Sequence, residues 1–196
     1  MEVEHVRPGL WRWTAPHPAW GPGADWPQEV GCLYYEAAHA TVLVDPLVPA
    51  GEEERFWRAL DRDVERRGLP LLVVLTAPWH GRSSAEIAGR YGGRIVQAES
   101  VPEIDAFPVP PVEEGQLALF LPEHGALVTA EILADNGGGL TVCPSPALRE
   151  AATLAPFLQR LLELPVELIL PAHGQPVLED ARSALAAAVA HAPSAA

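Results

Sequence analysis

Residues 71–92 read Leu-Leu-Val-Val-Leu-Thr-Ala-Pro-Trp-His-Gly-Arg-Ser-Ser-Ala-Glu-Ile-Ala-Gly-Arg-Tyr-Gly. The first five form an unbroken apolar run of strand length, the pattern of a strand covered on both faces. A polar turn holding Trp79, His80 and Arg82 follows. Ser83 or Ser84 can then cap a helix over about 85–91, which Gly92 and Gly93 end. Arg94 to Gln97 reads as a second strand, so the segment is a β-helix-β unit with a polar turn at its first strand end.

Upstream, Val30–Tyr35 and Thr41–Val44 are short runs rich in β-branched and aromatic residues, joined by a turn at 36–40 and ended by Asp45-Pro46. Phe56, Leu60 and Val64 recur every four residues within the charged segment 51–67, which predicts an amphipathic helix stopped by Gly68-Leu69-Pro70. Downstream, residues 101–116 are rich in Pro and acid and read as a loop. Leu117–Leu121 and Ala126–Thr129 form a hairpin, and 135–139 reads as a flexible loop. Leu148–Leu162 is a helix, Val166–Leu170 a last strand, and about 179–190 an Ala-rich helix. Strands in two batches, each followed by helices, predict two mixed sheets packed face to face with helices outside, in one domain over residues 1–196.

The bulk numbers exclude several functions. The 196 residues are 48% hydrophobic, enough for a full core without disulfides or metal staples. A net charge of −13 argues against nucleic acid and against an anionic membrane surface. All thirteen basic residues are Arg, a bias from which no function is drawn. No run approaches the ~20 apolar residues of a membrane span. The acidic start, Met1 to His5, lacks the basic-then-apolar pattern of a signal peptide, so the cytoplasm is expected. Cys32 and Cys143 form no CxxC pair and read as ordinary thiols.

In its ordered segments the sequence resembles the metallo-β-lactamase superfamily, the glyoxalase II-like branch in particular. Residues 30–50 resemble the opening hairpin that ends in Asp. Residues 71–92 stand where the family has strand, Thr, His-x-His-x-Asp-His and helix. Residues 115–133 resemble the Gly-Ser-Leu-x-Leu…Gly-Asp segment, and 169–177, Ile-Leu-Pro-Ala-His-Gly-Gln-Pro-Val, the final Pro-x-His-Gly motif. The resemblance implies a four-layer αββα sandwich and a two-zinc hydrolase site.

The same alignment removes the ligands. Counting from Thr76, the family's four donor positions fall on Ala77, Trp79, Gly81 and Arg82. A further histidine position falls near Val112, the Gly-Asp pair becomes Ala130-Glu131, and His173 alone is kept. A two-zinc site takes about four imidazoles and at least two carboxylates. Ala, Trp and Gly offer no donor, and a fixed guanidinium repels the metal.

The resemblance places Asp45, Trp79, His80, Arg82, Glu131 and His173 on one cleft. The first expectation is that Arg82 replaces the metal's charge, pairing with Glu131 and Asp45, in a protein with no cofactor that binds a small molecule or is a pseudoenzyme. The second is a hydrolase with a single zinc or iron ion on His80, Glu131 and His173. The third is a structural or homodimeric domain. The Trp-rich segment 11–20, with Trp26 and Trp79, either roofs the cleft over an apolar or cationic ligand or plugs it and covers a sheet edge. No Gly-x-Ser-x-Gly elbow or phosphate loop is present, and Ser83 and Ser84 are expected as helix caps rather than nucleophiles.

Overall fold

The computed structural model describes every residue except Asp25, 111–113, Asn136, 144–150 and 193–196. The chain divides into two compact units, Met1–Leu75 with Trp79–Ser100, and Thr76–Pro78 with Val101–Ala196. Among the described residues, no helix is long and apolar enough to cross a membrane.

The first unit is a six-stranded sheet. Its strands are β1 (Glu2–Arg7), β2 (Leu10–Pro16), β3 (Glu29–Glu36), β4 (Thr41–Val44), β5 (Leu71–Val74) and β6 (Arg94–Val96), in that spatial order. β1 to β4 run antiparallel in succession, and β4, β5 and β6 are parallel. The parallel joints need crossovers, supplied by α1 (Glu53–Arg67) and α2 (Ser84–Tyr91). α1 carries Glu53 and Glu54 in its first turn and Arg66 and Arg67 in its last, each sign complementing the helix dipole. Its Phe56 and Leu60 pack with Trp13, Tyr34 and Leu43 on one face of the sheet, joined by Ile87 of α2. Tyr35, Val42, Val44 and Val74, which alternate with that set, are buried as well. Gly92 ends α2 at φ 60°, and a Cβ on Gly93 would lie 2.7 Å from the Leu71 carbonyl oxygen. Each glycine of the pair therefore has its own steric reason.

The second unit holds a four-stranded sheet ordered β12-β9-β8-β7, from β7 (Asp105–Pro108), β8 (Leu117–Leu121), β9 (Ala126–Val128) and β12 (Leu168–Leu170). β12 is parallel to β9 and the other joints are antiparallel. A separate hairpin pairs β10 (Leu133–Asp135) with β11 (Leu140–Val142). Phe120, Leu127 and Ile169 of the sheet pack with Leu158 and Leu161 of α3 (Ala151–Leu162) and Leu185 of α4 (Ala181–Ala190).

The mixed α+β class and most elements are those the sequence predicts. Three differences stand out. The Trp-rich segment begins as a strand, β2, between β1 and β3, and Trp13 is a core residue whose Nε1 donates to the Leu47 carbonyl at 3.0 Å. The Pro-rich segment 101–116 contains β7, which lies at the end of its sheet, where Pro108 costs no central hydrogen bond. The glycine run 137–139 is the tip of the β10–β11 hairpin, with the Asp135 carboxylate accepting from the N–H groups of Gly137 and Gly139.

Candidate functional site

In the first unit, Asp45, Trp79, His80 and Arg82 gather at the ends of β4 and β5. Asp45 follows the last residue of β4 and takes a left-handed φ of 49°, which Asp tolerates better than most residues. Its N–H donates to the Val74 carbonyl at 3.1 Å, tying it to the end of β5. Its Oδ2 lies 2.9 Å from His80 Nδ1, and both side chains are buried, 3% exposed each. A carboxylate at Nδ1 fixes the orientation of the imidazole and supports a proton there, the tautomer being set by the bond itself. Trp79 is 48% exposed and stands edge-on to the His80 ring, with centroids 6.1 Å apart.

Arg82 also has a left-handed backbone, φ 35°. Its Nη1 donates to the Asp45 carbonyl at 2.9 Å and the Gly31 carbonyl at 3.2 Å, with Cys32 Sγ at 3.7 Å. The guanidinium therefore does meet Asp45, but through the main chain, because the Asp45 carboxylate is engaged with His80. Cys32 is fully buried, and burial pushes its thiol up to about 11, against a smaller opposing pull from Arg82. At neutral pH it is a protonated core group, as expected for an ordinary thiol.

The serines differ from expectation. Ser83 occupies the cap position of α2 but makes no cap bond, since its hydroxyl accepts the Val48 N–H at 3.0 Å. Ser84 is 1% exposed, and its Oγ has no hydrogen-bond partner among the described residues. Together the Ser83 hydroxyl and the Ser83 N–H, which donates to the Pro46 carbonyl, fasten the chain after Asp45 to the start of α2.

The second unit brings Glu131 and His173 together. Glu131 Oε1 lies 3.8 Å from His173 Nε2, within ion-pair range if the imidazole is protonated. Ala130, buried at 1%, has φ 46°, so the backbone before Glu131 keeps a bend that Gly would adopt without strain. The Ala172 N–H donates to the Ala130 carbonyl at 3.1 Å and fastens the His173 loop to this bend. Gly174 is held still more closely: its φ is 81°, and an added Cβ would fall 1.8 Å from the Asp135 carbonyl oxygen. Cys143 is raised to about 11, first by burial and then by the negative charge of Glu131. Val112 lies outside the described residues.

Ala77, buried at 1%, and Gly81 bring no donor atom, and Trp79 brings none that binds a metal. Among the described residues, no group of three or more His, Cys, Asp or Glu side chains is placed to hold a metal ion. At four of the positions matched to the family's ligands, the side chains present are thus those of Ala77, Trp79, Gly81 and Arg82. Sequence reasoning missed Gly31 and Cys32 as partners of Arg82, and no motif could have supplied them, since both are met through the fold of β3.

Neither a protein-family model nor any curated protein matches this sequence. Solved structures do. An NDM/FIM-1-like metallo-β-lactamase from Erythrobacter litoralis, in its mono-zinc form, superposes with a TM-score of 0.62 at 16% identity, covering 96% of this chain and 94% of that one. The chain has the metallo-β-lactamase fold. A metallo-β-lactamase family protein from Thermus thermophilus gives a TM-score of 0.57 at 16% identity, over 95% and 80% of the two chains. The metallo-β-lactamase DIM-1 gives 0.58 at 11%, over 96% of each. At such identities the likeness establishes the metallo-β-lactamase fold and leaves chemistry to the residues themselves.

Proposed function

We propose that this metallo-β-lactamase-fold chain, glyoxalase II-like in the order of its motifs, has lost the dinuclear metal centre and works as a small-molecule-binding protein without hydrolytic activity. The observation that carries this reading is Arg82. At the position matched to a metal ligand stands a cation whose Nη1 is hydrogen-bonded to the carbonyls of Gly31 and Asp45. A guanidinium stays charged across the working pH range, so a divalent ion there meets repulsion in place of a ligand.

The test is elemental analysis by mass spectrometry, on protein purified without added metal and again after zinc loading and desalting. The expected content is well under one equivalent of zinc or iron per chain in both. The expected turnover of β-lactam and thioester substrates in zinc buffer is that of buffer alone. Two tightly held metals per chain would overturn the proposal.

A further inference from the structure

A half-open groove of about 170 Å³ lies on the first unit, between the sheet and α1. Its sheet wall follows from strand register: Trp11 pairs with Tyr34 and Tyr34 with Leu43, while Val3 pairs with Trp13 in the next row, so all five side chains stand on one face. Its helix wall is Phe56, Ala59, Leu60 and Asp63, spaced i, i+3, i+4, i+7 on one stripe of α1. The stripe explains the groove. Phe56 and Leu60 reach the sheet and are buried, but Ala59 is too short to fill the gap between them and Asp63 places a carboxylate at its margin.

The lining selects the ligand. Trp13 Nε1 is committed to the Leu47 carbonyl, and Tyr34 Oη to Glu36. Those two aromatic residues therefore offer apolar surface rather than polar contacts. Four aromatic rings beside an aspartate could suit an organic cation. Asp63, however, is flanked by two arginines, with Arg62 Nε at 3.5 Å and Arg66 Nε at 3.6 Å. Its charge is already offset, and a further cation gains little. An anion meets Asp63 itself. The volume, about 170 Å³, is large enough for a single small aromatic ring system, since roughly 150 Å³ holds benzene in a closed cavity.

From this geometry we infer that the first unit carries a second binding site, separate from Asp45, His80 and Arg82, for a small uncharged aromatic molecule of about the size of indole. The site is independent of the proposal on metal loss.

The test is titration of the full chain with indole, read by the side-chain N–H resonances of Trp11 and Trp13 in nitrogen-correlated NMR spectra, with choline as the cationic counterpart. Indole should produce saturable shifts with a dissociation constant of about 1 mM or tighter, within the efficiency range of so small a ligand. Choline should produce none. Ala59→Phe fills the space from the helix side and should weaken indole binding about tenfold or more, the steric consequence of an occupied groove. Circular dichroism checks that this variant is folded, and Ala59→Leu takes its place if it is not. Absence of saturable indole shifts, undiminished binding in the folded variant, or preference for choline each overturns the inference.

Discussion

The most demanding steric feature near the candidate residues is Gly174, and Gly174→Ala tests whether it positions His173. Three costs add up. An alanine held at φ 81° pays the left-handed penalty, about 1–2 kcal/mol. Its methyl would stand 1.8 Å from the Asp135 oxygen and 2.5 Å from its carbonyl carbon, so the two segments must separate by more than an ångström. That movement breaks the Gln175 N–H bond to the same oxygen, now 2.9 Å, a loss of about 1 kcal/mol. The accompanying strain adds about 1–3 kcal/mol. The expected destabilisation is about 3–6 kcal/mol, at the severe end for a single substitution. Urea unfolding at neutral pH measures it. Gly137→Ala is the control: φ is 91° there, but nothing lies within 4 Å of the added methyl, so only the backbone cost of about 1–2 kcal/mol applies. Equal losses in the two variants would refute the steric argument for Gly174.

Two further outcomes follow from the first unit. Arg82→Ala leaves the carbonyls of Gly31 and Asp45 short of a donor and should cost about 1–3 kcal/mol, while Arg82→Gly, free of the strain at φ 35°, should recover about 1 kcal/mol of that; a variant as stable as the parent would mean the guanidinium holds nothing. Burial raises the Glu36 carboxyl, but hydrogen bonds from Arg66 and Tyr34 outweigh it and leave the folded pKa below the usual 4.5. The stability so gained is present above the unfolded value and lost as pH falls through the folded one, so Glu36→Gln should flatten the acid limb of a stability–pH curve below about pH 4.5. An unchanged acid limb would contradict the network.

How much of this was legible in the sequence depends on the kind of signal. β3, β4 and β5 announce themselves through β-branched runs, and α1 through its four-residue spacing. β2 carries a valid signal too, Trp11 and Trp13 alternating with Arg12 and Thr14, but it is short and stands beside the prolines at 16 and 18, which favour a loop reading. β7 is hidden by prolines that only a sheet edge accommodates. At the candidate site, motif order grouped Asp45, His80, Arg82, Glu131 and His173 without saying which of them touch, and the Asp45–His80 and Glu131–His173 contacts come from the structure alone. It could not show that Arg82 turns to main-chain carbonyls, or that the Ser83 hydroxyl serves Val48 rather than its own helix. Those choices depend on where the backbone of other elements passes, which residue identity does not encode locally.

The bends at Asp45, Arg82 and Ala130 have a consequence for protein engineering. All three are left-handed turns made by residues with a Cβ, two of them at or beyond strand ends. Each costs about 1–2 kcal/mol for an ordinary side chain, and the surrounding hydrogen bonds hold it nonetheless. A library built at these three positions should therefore favour Gly, Asn and Asp, the residues that enter this region of backbone space at least cost.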